Sequence, residues 1–386
     1  MQAPVPYIRC NWTVTEVANN YSQQREAPSP LPGETEEYTD NATVHEAPLQ
    51  RLQRLQRDHE SLWGRRGYKQ RCVTWECVLA RSPNLGSTAL RYEFMTPMTP
   101  LLFADYYLER DKSFSAKWVK TGDRFGIPLS RSNCSTIARG SVVHVEASLF
   151  GQFRRDFLPI ITNPIVLITG QWHKPQVHKS PDADFVLNHR NILHWFSQNP
   201  IYRNSEKYTA IPYGFHPDSP ELLRLAKELQ VKSKGKDQLI SMTGLNRETH
   251  PSRKLLPDLA SKTMSYHEIL RRSKFVISPQ GDRPDCYRHW ECVAFSAVPM
   301  TNTPEVYSDI LGPFAMITTI EKMIIYLKNS TTAAELDGFY PRYQESAEAK
   351  KDMLSGGYWY ERIRSYVAKE VASQKALMRK NDVKNR

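Results

Sequence analysis

Along residues 1–60 apolar side chains occur singly. Pro28, Pro30 and Pro32 sit close together, with Glu34, Glu36, Glu37 and Asp40 after them. Such a stretch buries too little apolar surface to offset the entropy of ordering, so it is expected to be a disordered or stem-like segment. It closes on a triplet repeat of Leu-Gln-Arg beginning at Leu49, Leu52 and Leu55, a period near enough to helical to suit a short amphipathic end to the stem. From about Tyr68 the pattern becomes that of a folded domain. The β-branched runs at 142–145 and 165–169 suit buried strands, and further short apolar runs at 185–187 and 192–196 follow turn residues. At 220–229 the apolar residues Leu222, Leu223, Leu225, Ala226 and Leu229 fall at helical spacing. Ser219 and Pro220 supply a cap and a proline at the first helical position.

The polar stretch 232–236, with Gly235, is the best candidate for a domain boundary. After it strand and helix alternate. Residues 238–242 form a strand pattern, and Ser265-Tyr-His-Glu268 is a capping box for a helix to Arg272. Residues 274–278 give a second strand, 279–284 a turn-rich loop, Asp285 a cap for a helix to about Ser296, and 298–301 a third strand. A strand–loop–helix–strand series of this kind predicts an α/β fold with parallel sheets. The expected division is 1–60 stem, 61–232 N-terminal domain, 233–345 C-terminal domain and 346–386 a basic C-terminal helix, with a cleft between the two domains.

Composition adds a sign. Lys plus Arg outnumber Asp plus Glu by 52 to 41, a net charge of +11, which favours anionic partners: nucleic acid, a membrane surface, or phosphorylated and sulfated small molecules. A nucleic-acid-binding reading finds no RNP pattern, zinc finger or KH loop to support it, so no nucleic-acid partner is expected. No run reaches the ~18 apolar residues of a membrane span, and Met1–Cys10 carries no signal-peptide block; any membrane anchor is expected outside this sequence. The six cysteines include no CxxC pair, and Cys72 with Cys77 is the most local disulfide candidate. Sequons at Asn11, Asn20, Asn41, Asn133 and Asn329 lean towards a lumenal or extracellular compartment.

The segment richest in chemistry is Phe275-Val-Ile-Ser-Pro-Gln-Gly-Asp-Arg-Pro-Asp-Cys-Tyr-Arg-His-Trp-Glu291. A loop with Gly281 joins a buried strand to a helix start, where backbone N–H groups and the helix dipole face the crevice in which open α/β sheets bind ligands. Arg288 and Glu291 are three apart and share one helix face. A cation there suits a diphosphate, and a carboxylate one turn on suits a pair of ribose hydroxyls. The competing reading is an ordinary surface ion pair between the two.

This segment, followed by a small residue and Val298-Pro299, resembles the donor-binding motif of exostosin-like glycosyltransferases. Pro164-Ile-Val-Leu-Ile-Thr-Gly170, Asn191-Ile-Leu-His-Trp-Phe-Ser-Gln-Asn199 and Ala210-Ile-Pro-Tyr-Gly-Phe215 resemble the N-terminal half of the same superfamily. The resemblance spans about residues 140–310. It implies a GT-B arrangement, two Rossmann-like domains with parallel sheets facing a cleft. It also implies a nucleotide-sugar donor, a UDP-sugar, a glycan or glycoprotein acceptor, inversion at the anomeric carbon, and residence in the Golgi or ER lumen. Carried over by position, Glu291 holds the ribose and Arg288 the diphosphate, Ser278 and Gly281 line the donor loop, and Arg253 supplies a further basic group, with Arg247 its rival. No cofactor and no metal are implied. Basic side chains and a helix N-terminus can stabilise a leaving diphosphate instead, and Asp182-Ala-Asp184, the one Asp-x-Asp in the N-terminal half, is expected in a surface turn.

The chain departs from the resemblance in two places. Related sequences place an acidic residue after the Thr-Gly turn, where this chain has Gln171-Trp172-His173, and the segment 253–265 is short. An inverting transfer needs a base on the acceptor hydroxyl; His173 and Glu146 are equal candidates. Trp172 and His194-Trp195 can form an aromatic floor for a sugar, with Phe196 assigned to the core. The alternatives to a glycosyltransferase are an inactive glycosyltransferase-like scaffold and a basic nucleic-acid-binding protein.

Overall fold

The computed structural model describes residues 73–82, 90, 93–109, 126–170, 176–231, 235–257 and 264–384. The stem, the Leu-Gln-Arg repeat, Cys10, Cys72, the sequons at Asn11, Asn20 and Asn41, and Gln171-Trp172-His173 lie outside the described residues. Helix α1 (Trp75–Arg81) precedes a six-stranded sheet made of β1 (Tyr106–Leu108), β2 (Ile127–Pro128), β3 (Val142–Glu146), β4 (Ile165–Gly170), β5 (Ile192–Ser197) and β6 (Tyr208–Ala210). The order is β2-β1-β3-β4-β5-β6 and every pair is parallel. Helix α2 (Pro181–Asn188) lies between β4 and β5, and α3 (Ser219–Leu229) follows β6. The second sheet has four strands in the order β10-β9-β8-β7, again parallel: β7 (Gln238–Met242), β8 (Ser273–Ile277), β9 (Val298–Thr301) and β10 (Met316–Ile317). Between its strands lie α4 (Pro251–Lys254), α5 (Tyr266–Arg272) and α6 (Tyr287–Ala294), and after them α7 (Ile320–Lys328), α8 (Ser330–Glu348) and α9 (Gly356–Lys384). The fold is therefore α/β with two parallel sheets, as the alternating pattern predicts.

The strands read as runs because both faces of each sheet are covered. On β4, Ile165 and Leu167 enter one cluster with Val143, Val145 and Trp195, while Val166 and Ile168 enter another with Val142 and Phe196. That second cluster continues into the other half of the chain through Val276, Trp290, Cys292, Val293 and Phe314, so the two sheets are joined by a shared core. The far face of the second sheet packs Phe275, Ile277, Val298 and Met300 against Ile320, Met323 and Leu336 of α7 and α8.

Helix α9, about 43 Å long at 1.5 Å per residue, runs from the shared core back over the first sheet. Trp359, Tyr360, Ile363 and Val367 belong to the shared cluster. Arg364 clamps Asp105, ahead of β1, with Nη1 and Nη2 donating to its two carboxylate oxygens at 3.1 and 2.9 Å. Tyr366 packs on His194 and Phe196, and Glu370 pairs with Arg139.

Several local expectations change. Residues 185–187 are helical, in α2, because Ser180 caps the Ala183 N–H and Pro181 opens the helix. Phe185 points outward beneath the Arg154 guanidinium, not into a sheet. Asp182 and Asp184 occupy the first turn of that helix, where the dipole favours carboxylates, and not a turn. The helix after the 279–284 loop starts at Tyr287 with Cys286 as its cap, and ends at Ala294. His194, Trp195 and Phe196 are all buried, so they form no aromatic floor. Cys77 is disulfide-bonded to a residue outside the described set.

Candidate functional site

The loop between β8 and α6 is shaped by one buried arginine. Arg253, in α4, donates through Nε to the Gln280 carbonyl at 2.9 Å, through Nη2 to that of Pro279 at 3.1 Å and through Nη1 to that of Asn246 at 3.2 Å. Gly281 permits this: a Cβ there would lie 2.9 Å from Arg253 Nη2. The Asn302 amide oxygen accepts the Gln280 N–H, which ties the same loop to the end of β9.

Asp285, 1% exposed, is the hub of the next turn. Its carboxylate accepts the Tyr213 N–H and the Trp290 indole N–H, each at 2.8 Å, and lies 3.2 Å from His289 Nδ1. His289 Nε2 in turn donates to the Ser278 carbonyl at 2.9 Å. Burial alone would lower the His289 pKa; a negatively charged Cys286 sulfur and the Asp285 carboxylate outweigh it and raise the ring to about 10. His289 Nδ1 lies between the Asp285 carboxylate and the Cys286 N–H, which is 3.3 Å away, and Asp285 links the first half of the chain at Tyr213 to the second at α6.

Arg288 and Glu291 stand on one face of α6 and form no ion pair with each other. Arg288 Nη2 donates to the Gly244 carbonyl at 2.9 Å, while its Nε and Nη1 are buried without a partner. Glu291 accepts the Tyr266 hydroxyl. Burial pushes the Glu291 carboxyl up, against the Tyr266 hydroxyl and the Arg288 guanidinium, which both lower it.

These groups line a cleft of about 540 Å³. One wall carries Arg253, Tyr266, Gly281, Cys286, Arg288 and Glu291; the opposite wall, after β6 and on α3, carries Tyr213, His216, Asp218, Glu221 and Arg224. Tyr213 stacks on Tyr287 at 5.1 Å between ring centres, and the Arg283 guanidinium lies 4.0 Å over the Tyr213 ring. His216 packs edge-on to Tyr287, and its Nδ1 accepts the Asp218 N–H at 3.3 Å. Glu221 is held by Arg224. The arrangement offers unpartnered guanidinium N–H groups and a helix N-terminus to an anion, and a carboxylate one turn away to hydroxyls.

The structure brings Arg253, Gly281, Arg288 and Glu291 to one cleft. Ser278 lies beneath it, fully buried, its carbonyl taken by His289 and its hydroxyl unpartnered. Glu146 ends β3, is not among the residues lining that cleft, and accepts the Ser148 hydroxyl. His173 is outside the described residues. Sequence reasoning missed the hub role of Asp285, the Tyr266 partner of Glu291 and the wall at His216 and Asp218. Asp285 and Tyr266 lay in segments already singled out, Asp285 as a helix cap and Tyr266 in a capping box; His216 and Asp218 lay just beyond one. Among the described residues no group of three or more His, Cys, Asp or Glu converges as a metal site, and no helix is long and apolar enough to cross a membrane. Comparison with known protein families finds no family model that matches this chain, and comparison with curated proteins finds no significant match.

Proposed function

We propose that the cleft binds the diphosphate and ribose of a nucleotide sugar, and that the chain is an exostosin-like glycosyltransferase of GT-B type acting on a glycan or glycoprotein. The observation that carries this reading is Arg288: two buried guanidinium nitrogens without partners at the N-terminal turn of α6, with the Glu291 carboxylate one turn further on the same face. Transfer breaks the bond between the sugar and the diphosphate, and negative charge grows on the leaving phosphate. Fixed N–H donors from Arg288 and the α6 N-terminus stabilise that charge without having to reorganise. Glu291 accepts from the ribose hydroxyls, with the Tyr266 hydroxyl holding its orientation.

An inverting reaction also needs a base on the acceptor side. In this reading it stands on the wall opposite Arg288. His216 accepts the Asp218 backbone N–H at Nδ1. Glu221 is paired with Arg224. Asp218, half-exposed beside them with its carboxylate 3.6 Å from His216 Nδ1, is assigned the proton. A lumenal compartment suits the disulfide at Cys77 and the exposed sequon Asn329. Asn133 is a poor acceptor of glycan in the folded chain, because its amide oxygen and nitrogen are both engaged, by Ser130 N–H and the Pro128 carbonyl.

The test is a thermal-shift panel of UDP, GDP and UDP-sugars. A ligand at about 100 times its dissociation constant stabilises by ~2.7 kcal/mol, so UDP compounds should raise the melting temperature visibly. No shift with any nucleotide removes the reading; binding without transfer to any acceptor leaves an inactive scaffold.

A further inference from the structure

We infer that Lys236 is a positioning residue for the cleft: its ammonium ties the C-terminal ends of α5 and α6 together and so sets where Tyr266 and Glu291 stand. The tie rests on the donated hydrogen bonds alone; its effect on a bound nucleotide rests on the donor-site reading. Lys236 stands just ahead of β7 and is half-buried. Its Nζ donates to the Leu270 carbonyl at 2.8 Å and to the Phe295 carbonyl at 2.6 Å. Leu270 is in the last turn of α5, and Phe295 is the C-cap of α6. Carbonyls at these places have no partner inside their helices, and a cation there meets the negative end of both dipoles.

The two helices meet a second time at the cleft. Tyr266 opens α5, and its hydroxyl donates to the Glu291 carboxylate on α6; the Arg288 guanidinium lies 5.9 Å from the Tyr266 ring centre. Tyr266 and Leu270 are four residues apart on α5, and Glu291 and Phe295 are four apart on α6, about 6 Å along each axis. The Lys236 tie and the Tyr266–Glu291 contact are thus two rungs between one pair of helices, a turn apart, and His267 packs on the Phe295 ring at 5.4 Å. A helix pair held at one rung can pivot about it. Held at two, it keeps Tyr266 and Glu291 in register.

The end of α6 is fixed from a second direction as well. The Ser296 N–H donates to the Val293 carbonyl at 2.9 Å and the Ala297 N–H to that of Cys292 at 2.8 Å, with Ser296 in the left-handed region at φ 55°. Glycine is the usual residue in this place, so Ser296 carries strain that its surroundings must hold. The Tyr340 hydroxyl of α8 donates to the Ser296 carbonyl at 2.9 Å, next to the Phe295 carbonyl that Lys236 holds. Neither Lys236 nor Tyr340 lines the cleft. Lys236 reaches Glu291 only through the helix that carries it.

The experiment uses the full chain and Lys236→Met, which keeps the apolar stem and removes the donors. Hydrogen exchange is followed first, without nucleotide. The amides of Ser273, Phe295 and Ser296, at the two helix ends, should exchange about tenfold faster or more in the variant, while those of Val143 and Leu167 in the first sheet keep their protection. Unchanged exchange at the helix ends, or equal acceleration everywhere, overturns the tie. Uridine and UDP are then titrated by calorimetry. Both should bind about tenfold more weakly, because the ribose they share is the part that Glu291 meets. Wild-type affinity in the variant overturns the positioning role. So does an equal loss in Leu167→Ala, a variant in the core of the first sheet that lowers stability without removing a contact of α5 or α6. If the methionine variant does not fold, Lys236→Gln, polar but shorter, is read in the same two ways. If the wild-type chain binds neither ligand, the donor-site reading has failed, and the exchange result still decides the tie.

Discussion

Replacing Asp285 by asparagine removes one charge and keeps the shape, and its consequences can be worked from three contacts. The native carboxylate accepts from Tyr213 N–H, Trp290 Nε1–H and the His289 ring while 1% exposed. In the variant His289 becomes a buried cation without its counter-charge. Breaking a buried pair by removing one partner costs about 3–5 kcal/mol, a large share of the 5–15 kcal/mol that typically holds a domain. The pH dependence sharpens the test. His289 is raised to about 10 in the fold from an unfolded value near 6.5. Its contribution is therefore fully present below pH 6.5 and is lost as the pH climbs towards 10. Urea unfolding at pH 6 and pH 9, wild type against Asp285→Asn, measures both effects. The gap should be about 3–5 kcal/mol at pH 6 and clearly smaller at pH 9, because only the wild type has the alkaline limb. A gap under ~1 kcal/mol, or one equal at the two pH values, refutes the assignment of a charged His289 held by Asp285.

Other predictions concern the fold and the ligand. Burial lowers His144 to about 3 and His194 to about 4; both are neutral in the fold, so stability should fall below pH 6.5 by up to about 1.4 kcal/mol per pH unit for each. His194→Gln should make that acid limb shallower in unfolding titrations, and an unchanged slope contradicts it. Gly214→Ala should cost at least ~2 kcal/mol in thermal unfolding, since Gly214 has φ +80° and a Cβ there would overlap the Met95 carbonyl. Gly338→Ala, at an exposed helix position with open space around it, should instead stabilise by about 0.5–1 kcal/mol. Glu291→Gln should weaken UDP by about ten- to a hundredfold in titration calorimetry, with the fold intact because Glu291 lines an open cleft; normal UDP affinity would count against its ribose role.

The buried strands were legible because a parallel sheet covered on both faces leaves continuous β-branched runs, as at Val142–Glu146 and Ile165–Gly170. Strands β1 and β2 were not legible: at three and two residues they carry too few positions for any period. Helix α8 was hidden by Gly338 and Pro341 in its interior, residues that normally end a helix and here are carried by packing of Leu336, Tyr340 and Tyr343 on the second sheet. At the site, the face shared by Arg288 and Glu291 followed from their spacing alone. Whether they paired did not, because their partners, the Gly244 carbonyl and the Tyr266 hydroxyl, come from 44 and 25 residues away. Asp285 looked like a cap because its residue type and place suit one. It turns inward to meet Tyr213, 72 residues earlier, a contact that exists only once the two sheets share a core. The wall carrying His216 and Asp218 is likewise a product of that packing.

The central claim is that Arg288 holds the diphosphate of a nucleotide, and calorimetric titration of Arg288→Ala with UDP and with uridine tests it most directly. Charge-assisted hydrogen bonds are worth ~1.5–3 kcal/mol, about ten- to a hundredfold in affinity. The account predicts a loss of that size for UDP and a change within about twofold for uridine, which lacks the phosphates. Equal losses for the two ligands, or UDP bound as tightly as by the wild type, would contradict it.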